Sequence, residues 1–135
     1  MIIKVRLAMK THPTTVDADV SVSEAARKMI QSSADTLIVL ENNMIKGTVD
    51  LRNVLRYTYT QGFRPNQTPV SEITKSNIVF VRPNTSLEDA LTIMIEMKQD
   101  TLPVVDNELV GSINIYDLLK AQPQTKPLEH SVIQA

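Results

Sequence analysis

The sequence predicts an α/β fold made of two β-α-β-β-α repeats packed with pseudo-twofold symmetry, and three observations carry that expectation. Residues 20–42 align without a gap on residues 85–107, with nine of 23 positions identical, where unrelated chains of ordinary composition would share about one or two. Both copies close on the same phrase, GTVDLRNVL at 47–55 and GSINIYDLL at 111–119, and two of the chain's three glycines open these phrases. Finally, helical and strand periodicities alternate in the same order in each copy.

Each element has a local reason. A brief strand is expected at residues 14–17, answered by 78–81. Ser21-x-x-Glu24 is a capping-box pattern, and Val22, Ala25, Ala26, Met29 and Ile30 follow at the spacing of one helical face. In the second copy Thr85-x-x-Glu88 or Ser86-x-x-Asp89 can cap, ahead of the stripe Leu87, Ala90, Leu91, Met94 and Ile95. Short β-branched runs at 37–40 and 102–105 lead to turns at Asn42-Asn43 and Asp106-Asn107, as hairpins do. A second strand then runs to each glycine, and a short helix starts after Asp50 or Asn114. Residues 60–69, rich in turn formers, read as a linker. The expected division is therefore 1–62 for the first repeat, 63–122 for the second and 123–135 for a tail without periodicity. One unit of under about 60 residues would have a marginal core. Two can bury their open sheet faces on each other, which creates two matching clefts lined by strand ends and by the N-termini of the short helices. Unpaired N–H groups there favour anions.

Composition narrows the function. The net charge of −1 and five aromatic residues argue against a nucleic-acid partner. No apolar run approaches the ~20 residues that span a bilayer, and the start MIIKVRLAMK lacks an apolar signal core, so no membrane partner and a cytoplasmic location are expected. Without cysteine there is no disulfide, thiolate nucleophile or zinc–thiolate site. His12 and His130 are too few and too far apart for a metal site or a catalytic base. No nucleophile–base pair, acidic dyad or phosphate loop is present, so no catalytic residue, no metal and no enzyme activity are expected. Arg6, Lys10, His12 and Arg82 are candidates for lining a cleft or for the solvated surface, and the six methionines fall largely on helix stripes as core. The long stripes at 22–30 and 87–95 point to a homodimer, closed twofold association being the commonest soluble arrangement.

The unit, with its [VT]-x-x-x-x-[ST]-hxEA-like helix, its LPVVDN-like hairpin and its GxhxxxD ending, resembles the CBS domain, named after cystathionine β-synthase. Two in tandem resemble a Bateman module, and the resemblance covers about residues 5–120. It implies a non-catalytic regulatory module that senses energy state or metabolites. AMP, ADP, ATP or an S-adenosylmethionine-like molecule would bind in the cleft between repeats, and the module would dimerise into a disc of four units. In the family's motif G-h-x-[ST]-x-x-D the hydroxyl residue contacts phosphate or ribose and the aspartate takes the ribose hydroxyls. Carried over, the second copy supplies Gly111, Asn114 in place of Ser/Thr, and Asp117. The first supplies Gly47, Asp50 in place of Ser/Thr, and Asn53 in place of Asp. The neighbouring contacts implied by the family fall on Asn77, Ile78, Val79 and Phe80, and on Thr101, Leu102 and Pro103. Their first-copy counterparts are residues 11–15 and Thr36, Leu37 and Ile38. Where some members place Arg or His before the strand, this chain has Asp100-Thr101 and Asp35-Thr36, which disfavours a polyphosphate.

Asp50 and Asn114 are equally good helix N-caps, with Asn53 and Asp117 at N3, so cap and ligand contact remain two readings of the same residues. The carboxylate of Asp50 would compete with a phosphate for the same amides, which directs the expected ligand to Asn114 and Asp117. The alternative function is a ligand-free dimerisation or protein-interaction module. An effector protein that reads the bound state is a further expected partner.

Overall fold

The computed structural model describes residues 2–62 and 64–121. The tail expected at 123–135, with Pro123, Pro127 and His130, lies outside the described residues. The first repeat comprises β1 (Thr15–Asp17), α1 (Val22–Ser32), β2 (Thr36–Glu41), β3 (Met44–Asp50) and α2 (Leu51–Thr60). The second comprises α3 (Leu87–Met97), β4 (Thr101–Asp106), β5 (Glu108–Asn114) and α4 (Ile115–Ala121), and single 3-10 turns lie at Val5–Leu7 and Val70–Glu72.

The helices start where their caps are. Ser21 Oγ accepts the Glu24 N–H at 3.0 Å and Ser86 Oγ accepts the Asp89 N–H at 3.0 Å. Thr85, the other cap candidate, instead accepts the Arg82 N–H. The inward faces are Val22, Ala25 and Met29 on α1 and Leu87, Ala90 and Met94 on α3. The apolar stripes are wider than these faces: Ile30 and Ile95 are 76% and 65% exposed. Asn42 and Asn43 take φ of +54° and +64°, the two positive values a tight hairpin turn requires. Each hairpin slips register beside its glycine, between Val39 and Leu40 opposite Gly47 and between Val104 and Val105 opposite Gly111.

One expected element is reduced. In the first repeat β1 runs parallel to β2, and the Ile38 N–H donates to the Thr14 carbonyl at 3.1 Å. Pro103 holds the equivalent position in the second repeat and has no N–H to give. The strand expected at 78–81 therefore contracts to a single parallel bridge between Val81 and Val104.

The two hydrophobic cores are interlocked. Val70 and Ile73, from the segment leading into the second repeat, are buried in the core of the first. Val5, from the segment leading into the first repeat, is buried in the core of the second, with Ile3, Ala8 and Met9 against it. Backbone bridges fasten the exchange, Lys10 to Ser112 and Lys75 to Thr48. This close passage is why the glycines stand where they do. A Cβ on Gly47 would lie 1.9 Å from the Lys75 carbonyl oxygen, and one on Gly111 2.5 Å from that of Lys10. Neither glycine has a positive φ.

Candidate functional site

Because each entering segment lies on the opposite repeat's hairpin, the chain forms two pseudo-equivalent clefts, and their side chains differ. The first is a continuous space of about 450 Å³ between the repeats. Lys10, Thr14, Ala34 and Ile38 line one side, and Asn114 and Asp117 the other. Asn114 and Asp117 hold each other in a reciprocal box: the Asp117 N–H donates to Asn114 Oδ1 at 2.9 Å, and the Asn114 N–H donates to Asp117 Oδ2 at 2.9 Å. That box fixes the buried Asp117 carboxylate, 8% exposed, and leaves its Oδ1 without a hydrogen bond among the described residues. Although Asp35 and Asp117 line the same cleft, Lys10 makes no ion pair among the described residues. The Thr14 N–H has no partner among them either, because Ala34 beside it offers only a methyl group.

At the positions equivalent to Lys10, Thr14, Ala34, Asn114 and Asp117 stand Lys75, Val79, Gln99, Asp50 and Asn53, of which Lys75, Gln99 and Asp50 line the second cleft. Asp50 Oδ1 accepts the Asn53 N–H at 2.8 Å, while Oδ2 lies 3.3 Å from Lys75 Nζ. Gln99 reaches the backbone of Val79 twice, its Oε1 accepting the N–H at 3.0 Å and its Nε2 donating to the carbonyl at 2.8 Å. Nε2 also donates to the Thr101 carbonyl at 3.1 Å. The space is cut into an inner part of about 120 Å³ and an outer part of about 590 Å³, with Asp50, Lys75 and Gln99 walling both. Asn53 Oδ1 is buried without a hydrogen bond among the described residues. The capping box is thus only half made in this repeat.

The nine residues singled out from the sequence are divided by this geometry. Asn114, Asp117 and Thr101 line the open cleft. Asn77 and Ile78 line the inner part of the second cleft, on the side of Asp50, so they do not face Asn114. Val79, Phe80, Leu102 and Pro103 line neither cleft. The Val79 backbone is taken by Gln99, Leu102 is wholly buried in the second core, and Pro103 is buried beside it. Phe80 is 47% exposed, with the Arg82 guanidinium 5.7 Å from its ring centroid. The expectation that residues 77–80 and 103 wall the cleft of Asn114 is corrected, for a topological reason. The segment bridging to β5 is the one through Lys10, so Thr14 and Ile38 face Asn114. The signal was present in Gly111, which required a backbone to pass close by, but nothing local said which one.

Among the described residues no group of His, Asp and Glu side chains is arranged to hold a metal ion, and no helix is long and apolar enough to cross a membrane.

Comparison with known proteins agrees with this architecture. The family model described as CBS domain matches residues 3–59 and 70–124. The chain is 38% identical over 115 residues to the CBS domain-containing protein YhcV of Bacillus subtilis, across 84% of this chain and 81% of that one. It is 30% identical over 127 residues to the uncharacterized protein MJ0450 of Methanocaldococcus jannaschii, across 90% and 67%. Among solved structures, that of the CBS domain NE2398 superposes with a TM-score of 0.83 at 26% identity, covering 88% of this chain and 97% of that one.

Proposed function

The chain belongs to the CBS-domain family as a tandem pair, a regulatory and non-catalytic class of module that often binds adenosine ligands, and from that premise we propose that it binds such a ligand in the cleft lined by Asn114 and Asp117. The observation that carries this reading is that the cleft is continuous, of nucleotide size, and furnished with unused polar groups. Its volume falls within the roughly 300–1,000 Å³ typical of small-molecule sites. Asp117 Oδ1 has free lone pairs for ribose hydroxyls. Lys10, outside any ion pair among the described residues, supplies a cation for a phosphate, the Thr14 N–H supplies a donor for a base edge, and Ile38 supplies an apolar wall. Lys10 and Lys120 stand against Asp35 and Asp117 in the lining. This near-neutral balance favours a monophosphate such as AMP over ADP or ATP, with an S-adenosylmethionine-like molecule as the other candidate.

A ligand here would touch both repeats at once. Its binding would favour the conformation in which they are closed on each other and shift a pre-existing equilibrium that a partner protein reads. Self-association belongs to the same reading. Ile30, Leu51 and Leu55 of the first repeat and Ile95, Ile115 and Leu119 of the second occupy equivalent, exposed helix positions, a paired apolar surface suited to a twofold homodimer. Light scattering should give the dimer mass, and Ile30→Glu with Ile95→Glu the monomer mass; a wild-type monomer at micromolar concentration would rule the dimer out.

The same exposed surface favours the second reading, a dimerisation or interaction module without a ligand. Calorimetry with AMP, ADP, ATP, adenosine and S-adenosylmethionine separates the two. The adenosine reading expects AMP to bind and to raise Tm by mass action; no heat and no Tm shift across the panel would leave the interaction module.

A further inference from the structure

We infer that the second cleft is occupied by the protein itself, the Gln99 carboxamide standing in for a base edge and the Asp50 carboxylate for an anionic group on Lys75. A primary carboxamide presents a carbonyl acceptor beside an amino donor. Adenine presents the same pair along its Watson–Crick edge, a ring-nitrogen acceptor beside an amino donor. Gln99 uses both on the N–H and carbonyl of Val79, the backbone counterpart of Thr14 in the open cleft. At the other end Asp50 sits on Lys75 at 3.3 Å, the counterpart of Lys10, which makes no ion pair among the described residues. The side chains of this ion pair are 50% and 28% exposed, so it adds little stability; its consequence is that Asp50 and Lys75 together present no net charge to an anion.

The polar groups at both ends are thus engaged, and the space is divided into a part of about 120 Å³, too small for a nucleotide, and an outer part of about 590 Å³ that is large enough for one but is lined by neither Val79 nor Asn53. A ligand entering here would have to displace three hydrogen bonds of Gln99 and insert beside a carboxylate. The result is a twofold scaffold with one working site per chain. On the Asn114 side a ligand can bridge the repeats; on the Asp50 side the Gln99 bonds lie within the second repeat, and the Asp50–Lys75 pair reaches from the first repeat to the segment leading into the second.

Self-occupancy rests on the reading of the open cleft as a nucleotide site, but it has its own readout. Each blocking residue can be exchanged for the one its counterpart position already tolerates: Gln99→Ala after Ala34, Asp50→Asn after Asn114, and Asn53→Asp after Asp117. By amide hydrogen exchange, the Val79 N–H should be protected in the wild type and exchange at least about tenfold faster in Gln99→Ala, while Thr14 exchanges fast in both. Equal Val79 exchange in the two proteins overturns the inference. By calorimetry, the wild type should take one AMP per chain and the triple variant two, the second lost again on Lys75→Ala. A wild type that binds two AMP, or a triple variant that takes no more than the wild type, also overturns it. A wild type that binds none beside a triple variant that binds one supports self-occupancy and refutes the open-cleft reading.

Discussion

Ile38 and Pro103 occupy the same place in the two repeats, as do Ala34 and Gln99, and the pairs explain each other. Ile38 has an N–H that satisfies the Thr14 carbonyl, so the first repeat builds a proper β1 and needs nothing larger than Ala34 beside it. Pro103 has none, so the equivalent carbonyl, that of Val79, would be left short of a donor. An unpaired buried polar group costs about 1–3 kcal/mol. Gln99 supplies the missing donor and takes the Val79 N–H as well. Repairing the backbone in this way puts a carboxamide into the cleft. A lost ladder hydrogen bond in one repeat therefore leads to a closed cleft, and a retained one in the other leaves the cleft open. The helix caps show a second exchange of the same kind: each has one carboxylate and one amide, as Asp50 with Asn53 and as Asn114 with Asp117. Where the carboxylate is first it captures a lysine, and where it is fourth it is buried and aimed by its amide partner.

The sharpest way to break this comparison is at the glycines. A methyl group at Gly47 would meet a backbone oxygen 1.9 Å away and at Gly111 one 2.5 Å away, so backbone must shift in both. Gly47→Ala is expected to destabilise by about 3 kcal/mol and Gly111→Ala by about 2 kcal/mol. Urea unfolding measures both; the reverse order would mean that the two crossings are not packed as described.

Ligand binding should be lopsided. Asp117→Ala removes charge-assisted hydrogen bonds worth about 1.5–3 kcal/mol, so AMP affinity should fall roughly ten- to a hundred-fold. Lys10→Ala should also weaken it, by roughly tenfold, while Lys75→Ala should leave it unchanged. Calorimetry in which Lys75→Ala costs as much as Lys10→Ala would assign the ligand to the wrong cleft.

The compensation between Pro103 and Gln99 can be transplanted. Ile38→Pro removes the donor to the Thr14 carbonyl and should cost about 2 kcal/mol. Adding Ala34→Gln should recover most of that stability and abolish AMP binding, because the carboxamide would then fill the open cleft. A double variant no more stable than Ile38→Pro alone would show that glutamine does not stand in for the lost N–H.

The smallest effect tests where the repeats are the same. Ser21 and Ser86 cap their helices with equal 3.0 Å hydrogen bonds, so Ser21→Ala and Ser86→Ala should each cost about 1 kcal/mol. Thermal unfolding should find the two losses alike; a large difference would mean that the two caps are not equivalent.

Whatever depends on neighbours a few residues apart was legible from the sequence alone. The capping serines, the helix faces through Met29 and Met94, the paired asparagine turn and the helix starts after Asp50 and Asn114 each rest on interactions within about four residues, and each is found where the pattern puts it. So is the family, because the whole pattern occurs twice in order. Three residues of the open cleft, Thr101, Asn114 and Asp117, were also legible, since they belong to one hairpin and the helix after it. Only the tertiary structure decided what faces them. Lys10 and Thr14 lie a hundred residues away along the chain from Asn114 and reach it because the cores exchange Val5 for Val70 and Ile73, a long-range choice that local periodicity does not encode. The same holds for Gln99. Its carboxamide reads locally as the polar end of a helix, and becomes the occupant of a cleft only once Pro103 has left the Val79 carbonyl in need of a donor.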